Sequence, residues 1–149
     1  MKPATYQLAT LDDLPAAAAW LLSKGAAYPI WLFEGQMGVG KTTLIRALSV
    51  ELGIEQPVQS PTFSLVNEYR TLDGDTVYHF DFYRLKDEEE AYDIGVDEYF
   101  ESGNRCLIEW PERINSLLPE RYFVISIRLL ADGLRRIDIL SVDTSVHSL

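Results

Sequence analysis

Residues 29–53 read PIWLFEGQMGVGKTTLIRALSVELG. The opening PIWLF is a continuous apolar run too short for a helix, the pattern of a strand buried on both faces. Further on, Leu44, Ile45, Leu48 and Leu52 recur at helical spacing over residues 42–53, and Gly53 supplies a C-terminal stop. Between them, Gly35-Gln36-Met37-Gly38-Val39-Gly40-Lys41-Thr42 satisfies G-x-x-x-x-G-K-[ST] at every specified position. Strand, glycine loop and helix in this order predict an anion cradle. The glycines let backbone N–H groups turn toward phosphate oxygens, and the following helix presents its positive end to the same anion. Lys41 is then expected to reach the β- and γ-phosphates of a nucleotide, and the Thr42 hydroxyl to ligate Mg²⁺. Gly38, Val39, Gly40, Lys41, Thr42 and Thr43 are the candidate nucleotide-binding residues of the loop.

Working outward, TYQLAT (5–10) reads as a short strand, followed by a helix over about 13–24 with Leu14, Ala17, Ala18, Leu21 and Leu22 on one face and Gly25 as its stop. Asp12 is preferred over Thr10 as its N-cap, because that choice puts Pro15 in the first turn, where a missing N–H is harmless. FSLVNEYR (63–70) and TVYHFDF (76–82) flank an Asp-Gly turn and predict an antiparallel hairpin. RCLIEW (105–110) is another buried strand, PERINSLL (111–118) a short helix opened by proline, and RYFVISIRLL with LRRIDILSV a second hairpin across ADG. The expected fold is α/β: a P-loop NTPase-like sheet with helices on both faces, mixed because of its hairpins. At 149 residues, without repeats or Gly/Ser/Pro linkers, one domain over 1–149 is expected.

Phosphoryl chemistry also needs a carboxylate for the metal and a group that orients water. VYHFD (77–81) and CLIE (106–109) are apolar runs that close on Asp81 and Glu109, at strand ends where ligands of such sheets collect. Either carboxylate could hold Mg²⁺ while the other positions water. Thr62 in SPTF (60–63) stands between the loop helix and the next strand, where nucleotide switches carry a threonine that senses the γ-phosphate.

Other features read as structural. His79 is a packed strand residue, since no second histidine or cysteine stands at metal-ligand spacing, and His147 lies in a frayed tail. Cys106 is a buried, inert thiol, and Trp20 belongs to the apolar face of the first helix. KDEEEAYDIGVDEYF (86–100) reads as a solvated acidic helix whose interleaved aromatics would also suit a docking surface. The net charge of −10 repels polyanions, so contact with nucleic acid is expected to run through a partner. No apolar run spans a bilayer and the N-terminus lacks a secretory pattern, so a cytoplasmic protein that does not enter membranes is expected.

With these stretches laid out, the chain resembles the bacterial TsaE (YjeE) family, the ATPase of tRNA threonylcarbamoyladenosine synthesis. GQMGVGKTT, SPTFSLVNEY, VYHFDFYRL, IGVDEYF and LIEWPER occur in the family's order. The resemblance implies binding of ATP and Mg²⁺, slow hydrolysis by the chain alone, and assembly with TsaD-like and TsaB-like proteins that transfer the threonylcarbamoyl group to tRNA. By motif match Lys41 and Thr42 take the loop roles, Thr62 the switch role, and Asp81 and Glu109 the metal and water roles, with Glu109 close to Mg²⁺. Trp110 falls at the family's tryptophan beside that glutamate, and Thr10 where its adenine pocket begins. Gln36 departs from the family's frequent acidic residue, at a free position of the loop motif. Two alternatives stand beside this reading: a small-molecule P-loop kinase, disfavoured by the acidic residues after Asp81, and a nucleotide-gated interaction module in which hydrolysis is incidental. No N-K-x-D guanine motif occurs in the chain.

Overall fold

The computed structural model describes residues 3–36, 38–59, 61 and 65–144, so Thr62 and His147 lie outside the described residues. Seven strands form one mixed sheet: β1 (Ala4–Leu8), β2 (Ile30–Glu34), β3 (Val66–Arg70), β4 (Thr76–Asp81), β5 (Arg105–Glu109), β6 (Arg121–Leu129) and β7 (Arg135–Asp143). Their order across the sheet is β1-β7-β6-β2-β5-β4-β3. β2 pairs in parallel with both β5 and β6, and β5 in parallel with β4, while the two hairpins and β1 add antiparallel edges.

The apolar run of β2 is explained by its central position. Trp31 and Phe33 enter one core with Leu44, Ile45 and Leu48 of helix α2 (Lys41–Leu52) and with Ala17, Ala18 and Leu21 of helix α1 (Leu14–Lys24). Ile30 and Leu32 enter a second core on the opposite face, with Phe80, Ile108, Ile114, and Ala91, Val96 and Phe100 of two short helices, α3 (Glu88–Asp93) and α4 (Val96–Glu101). A strand covered on both sides has no solvent face and therefore no polar alternation. Cys106 is buried here without a disulfide, and burial pushes its thiol up to about 12, in keeping with an inert role.

Four expectations require correction. Thr10, not Asp12, caps the first helical segment: its hydroxyl accepts from the Asp12 amide at 3.2 Å, while the Asp13 carboxylate accepts from the amides of Ala9 and Thr10 at 2.8 and 3.0 Å. This reciprocal box satisfies more orphan donors than a lone Asp12 cap, and a 3₁₀ turn over Leu11–Asp13 then leads into α1. The acidic stretch 86–100 is two helices broken at Gly95 rather than one, because Ala91, Val96 and Phe100 must all reach the same core. Pro111–Leu117 is a 3₁₀ segment kinked at Ile114, whose side chain is fully buried. β5 stops at Glu109, one residue before Trp110. Among the described residues no helix is long and apolar enough to cross a membrane.

The cap generates a test. Thr10→Ala is expected to lower unfolding free energy by about 1 kcal/mol in urea titrations, the usual cost of losing an N-cap hydroxyl.

Candidate functional site

The register of the parallel strands brings their C-terminal ends into one row. Phe33 pairs with Glu109, and Glu109 with Asp81 on the other side. β2 runs directly into the glycine loop, so loop and carboxylates share one edge of the sheet. Gly35 (φ 155°) could not be replaced without a clash, because a Cβ there would stand 2.8 Å from the Val39 side chain and 2.9 Å from the Ile127 carbonyl. Gly40 (φ 112°) is the left-handed residue that starts α2.

Among the described residues the buried polar or charged side chains are Lys41, Ser49, His79 and Glu109. Three of the four meet at this edge, where burial of charge requires partners. Glu109 Oε1 accepts from the Thr42 hydroxyl at 3.1 Å, and Glu109 Oε2 stands 2.8 Å from His79 Nε2. Lys41 Nζ donates to the Gly35 carbonyl at 2.7 Å and lies 3.6 Å from the centre of the Trp110 ring. Trp110 is the non-glycine residue with positive φ among those described (φ 59°, ψ 51°), a costly backbone state that turns its ring over the lysine and against Tyr83 at 5.0 Å.

The result is an open cavity of about 290 Å³ lined by Gly38, Gly40, Lys41, Thr42, Thr43, Asp81, Tyr83, Glu109 and Trp110. A second recess of about 330 Å³ lies on the other flank of the loop, walled by Gly35, Gln36, Gly38, Val39 and Ile127 to Leu129. Thus the loop residues, both carboxylates and Trp110 converge. Thr10 lines neither space; it stands at the same sheet end, two residues beyond Leu8, which pairs with Arg135. Arg84 is exposed and does not line the cavity, although its neighbour Tyr83 does.

Three contributors were not foreseen from sequence. His79 is packed, as its strand position implied, but its ring also grips Glu109; the i, i+2 spacing to Asp81 was the available signal, since it puts both on one face. Tyr83 forms the cavity wall. Arg135 Nε donates to the Val39 carbonyl at 2.8 Å and so braces the loop from β7. No local pattern marks Arg135, because the contact spans 96 positions.

The cavity holds charges short of compensation. Burial pushes the Lys41 ammonium below its ordinary range, against the pull of Glu109, Glu112 and Asp81. Asp81 and Glu109 outnumber this one ammonium among the lining side chains, so a phosphate would have to enter together with a cation. Among the described residues no group of three or more His, Cys, Asp or Glu side chains is arranged to hold a metal alone. Mg²⁺ takes one or two carboxylates and completes its shell with water and phosphate oxygens. The hydroxyl of Thr42 and the carboxylates of Glu109 and Asp81 are hard oxygen donors of this kind.

A parallel-cored sheet whose strand-to-helix loop carries the G-x-x-x-x-G-K-[ST] pattern defines a P-loop NTPase-related fold. The YdiB crystal structure from Bacillus subtilis is similar, with a TM-score of 0.74 and 30% identity over 95% of this chain and 86% of that one. The family profile described as "Threonylcarbamoyl adenosine biosynthesis protein TsaE" matches residues 8–137. Proteins called tRNA threonylcarbamoyladenosine biosynthesis protein TsaE are similar too: that of Treponema pallidum is 40% identical over 80% of this chain and 84% of its own length. That of Bacillus subtilis is 35% identical over 95% and 88%. The chain therefore belongs to the TsaE family, the components of tRNA threonylcarbamoyladenosine biosynthesis.

Burial raises the Asp81 carboxyl above its ordinary 3.8, while the Tyr83 amide pulls it back; Glu109 raises it further and His79 and Lys41 lower it. The native state therefore holds this proton more tightly than the unfolded chain. The stabilisation is complete below 3.8 and is lost as pH rises through the raised native value, above which a half-buried carboxylate is left ionised. Asp81→Asn, which keeps an oxygen for the Tyr83 amide, is expected to melt above the parent at neutral pH without ligands. The gap should narrow as pH falls toward 4, a trend that thermal melts across pH will show.

Proposed function

We propose that the chain is the Mg²⁺-dependent ATPase of the threonylcarbamoyladenosine machinery, a single domain with low turnover alone. The observation that carries the reading is the 3.1 Å contact between Thr42 and Glu109 at the mouth of the glycine loop, with Asp81 on the adjacent strand. The amides of the loop and the start of α2, over 38–43, receive the phosphates, and Lys41 exchanges the Gly35 carbonyl and Trp110 face for phosphate oxygens. Thr42 and Glu109 are the residues that hold Mg²⁺, because the two oxygens already adjoin. Bound there, the ion supplies neutralisation of charge on the phosphate oxygens.

Asp81, whose carboxyl favours its proton more than an exposed one does, orients the attacking water. Thr62 is kept as the γ-phosphate sensor and Thr10 as the residue on the nucleobase side. Among the described residues lining the cavity there is no arginine, which accords with turnover that rises only in the presence of TsaD-like and TsaB-like partners. A net charge of −10 supports contact with tRNA through those partners rather than directly.

Calorimetry and phosphate-release assays, on the chain alone and with TsaD-like and TsaB-like proteins, test the reading. Lys41→Ala is expected to weaken ATP binding about ten- to hundredfold, since a charged hydrogen bond contributes roughly 1.5–3 kcal/mol. Glu109→Ala should reduce hydrolysis more than nucleotide affinity. Parent-like binding and turnover in both variants would refute the assignment.

A further inference from the structure

Glu109 poses a problem that its own strand does not solve. The residue is only 3% exposed and its carboxylate ends a flexible side chain, and Asp81 stands across the ladder from it on the same sheet face. Left alone, the two carboxylates would repel, and Glu109 could relieve the repulsion by turning toward solvent. It does not, because a buried imidazole holds it: His79, 1% exposed, meets Oε2 at 2.8 Å. Parallel pairing of β4 with β5 sets this geometry, since His79 lies two residues before Asp81 and Leu107 two before Glu109, all on the α2 side.

The tautomer follows from the remaining ring nitrogen. His79 Nδ1 is buried and meets no hydrogen-bond partner among the described residues. A proton there would be an unpaired buried donor, so the proton belongs on Nε2, where it is donated to Glu109. With Oε2 occupied, Oε1 remains turned to the Thr42 hydroxyl at 3.1 Å. We infer that His79 is a positioning residue: by clamping Oε2 it keeps the other oxygen of Glu109 beside Thr42, in the orientation that the metal side of the site requires. The inference rests on the proposed role of Glu109 and adds the residue that makes that role available. Partners of this outer kind commonly control metal affinity as strongly as some direct ligands do.

The test compares His79→Gln, whose amide N–H can replace the imidazole donor, with His79→Leu, which fills the space and donates nothing. Fluorescent ADP is titrated with and without Mg²⁺, and Mn²⁺ uptake by each ADP complex is followed by electron paramagnetic resonance. Metal-free ADP affinity should match the parent in both variants, because loop amides and Lys41 are untouched. His79→Leu is expected to need about ten- to hundredfold more metal for half-saturation, while His79→Gln stays close to the parent. Parent-like metal dependence in a folded His79→Leu overturns the inference and leaves the ATPase reading standing. Equal loss of metal-free ADP binding in both variants also overturns it, since that marks a structural role. No metal response in the parent itself sinks the ATPase reading and this inference together. Should His79→Leu fail to fold, His79→Asn, whose shorter amide falls away from Oε2, replaces it under the same criteria.

Discussion

The carboxylate of Glu109 is gripped from two sides, by an imidazole from β4 and by a hydroxyl from the first turn of α2. A charge so deeply buried would oppose folding if it stood alone, because desolvation of a carboxylate outweighs any single neutral contact. Two hydrogen bonds and the nearby Lys41 ammonium offset that cost. They also lock together three parts of the chain that are far apart in sequence: the loop helix, β4 and β5. The geometry of the whole edge follows from satisfying this one group.

The sheet makes the arrangement possible. β2 is buried on both faces and sits between β5 and β6, so the loop that leaves it emerges beside the end of β5. Parallel pairing keeps the strand ends level, which is why Phe33, Glu109 and Asp81 form one row. An antiparallel neighbour would have put its first residues, not its last, at that edge. The antiparallel strands instead close the flanks, and β7 contributes Arg135 to brace the loop at Val39. Trp110 shows a similar economy. Its left-handed backbone is unfavourable for a bulky side chain, yet it ends β5 abruptly and turns the ring onto Lys41, where the cation and the aromatic face stabilise each other.

How far the site was legible depended on whether its cause was local. The glycine loop could be read because conformational need and residue type coincide within eight positions, 35 to 42. Asp81 and Glu109 could be read because apolar runs that close on an acid are unusual enough to mark strand ends. Local reasoning failed where a residue had two competing local roles. Asp12 and Thr10 are both acceptable caps, and the choice fell to the one that forms a reciprocal pair with Asp13. The acidic stretch 86–100 has helical composition throughout, but three apolar side chains needed the same core and forced a break.

By itself the amino-acid order determined a strand, an anion-cradling loop and a helix, together with two carboxylates at strand ends. Those depend on backbone freedom and hydrophobic periodicity over short spans. Which carboxylate adjoins Thr42, that His79 holds it, and that Arg135 braces the loop were decided only by strand order and register. Contacts across 30, 67 and 96 positions have no local signature, because they arise when separate segments compete for one buried edge.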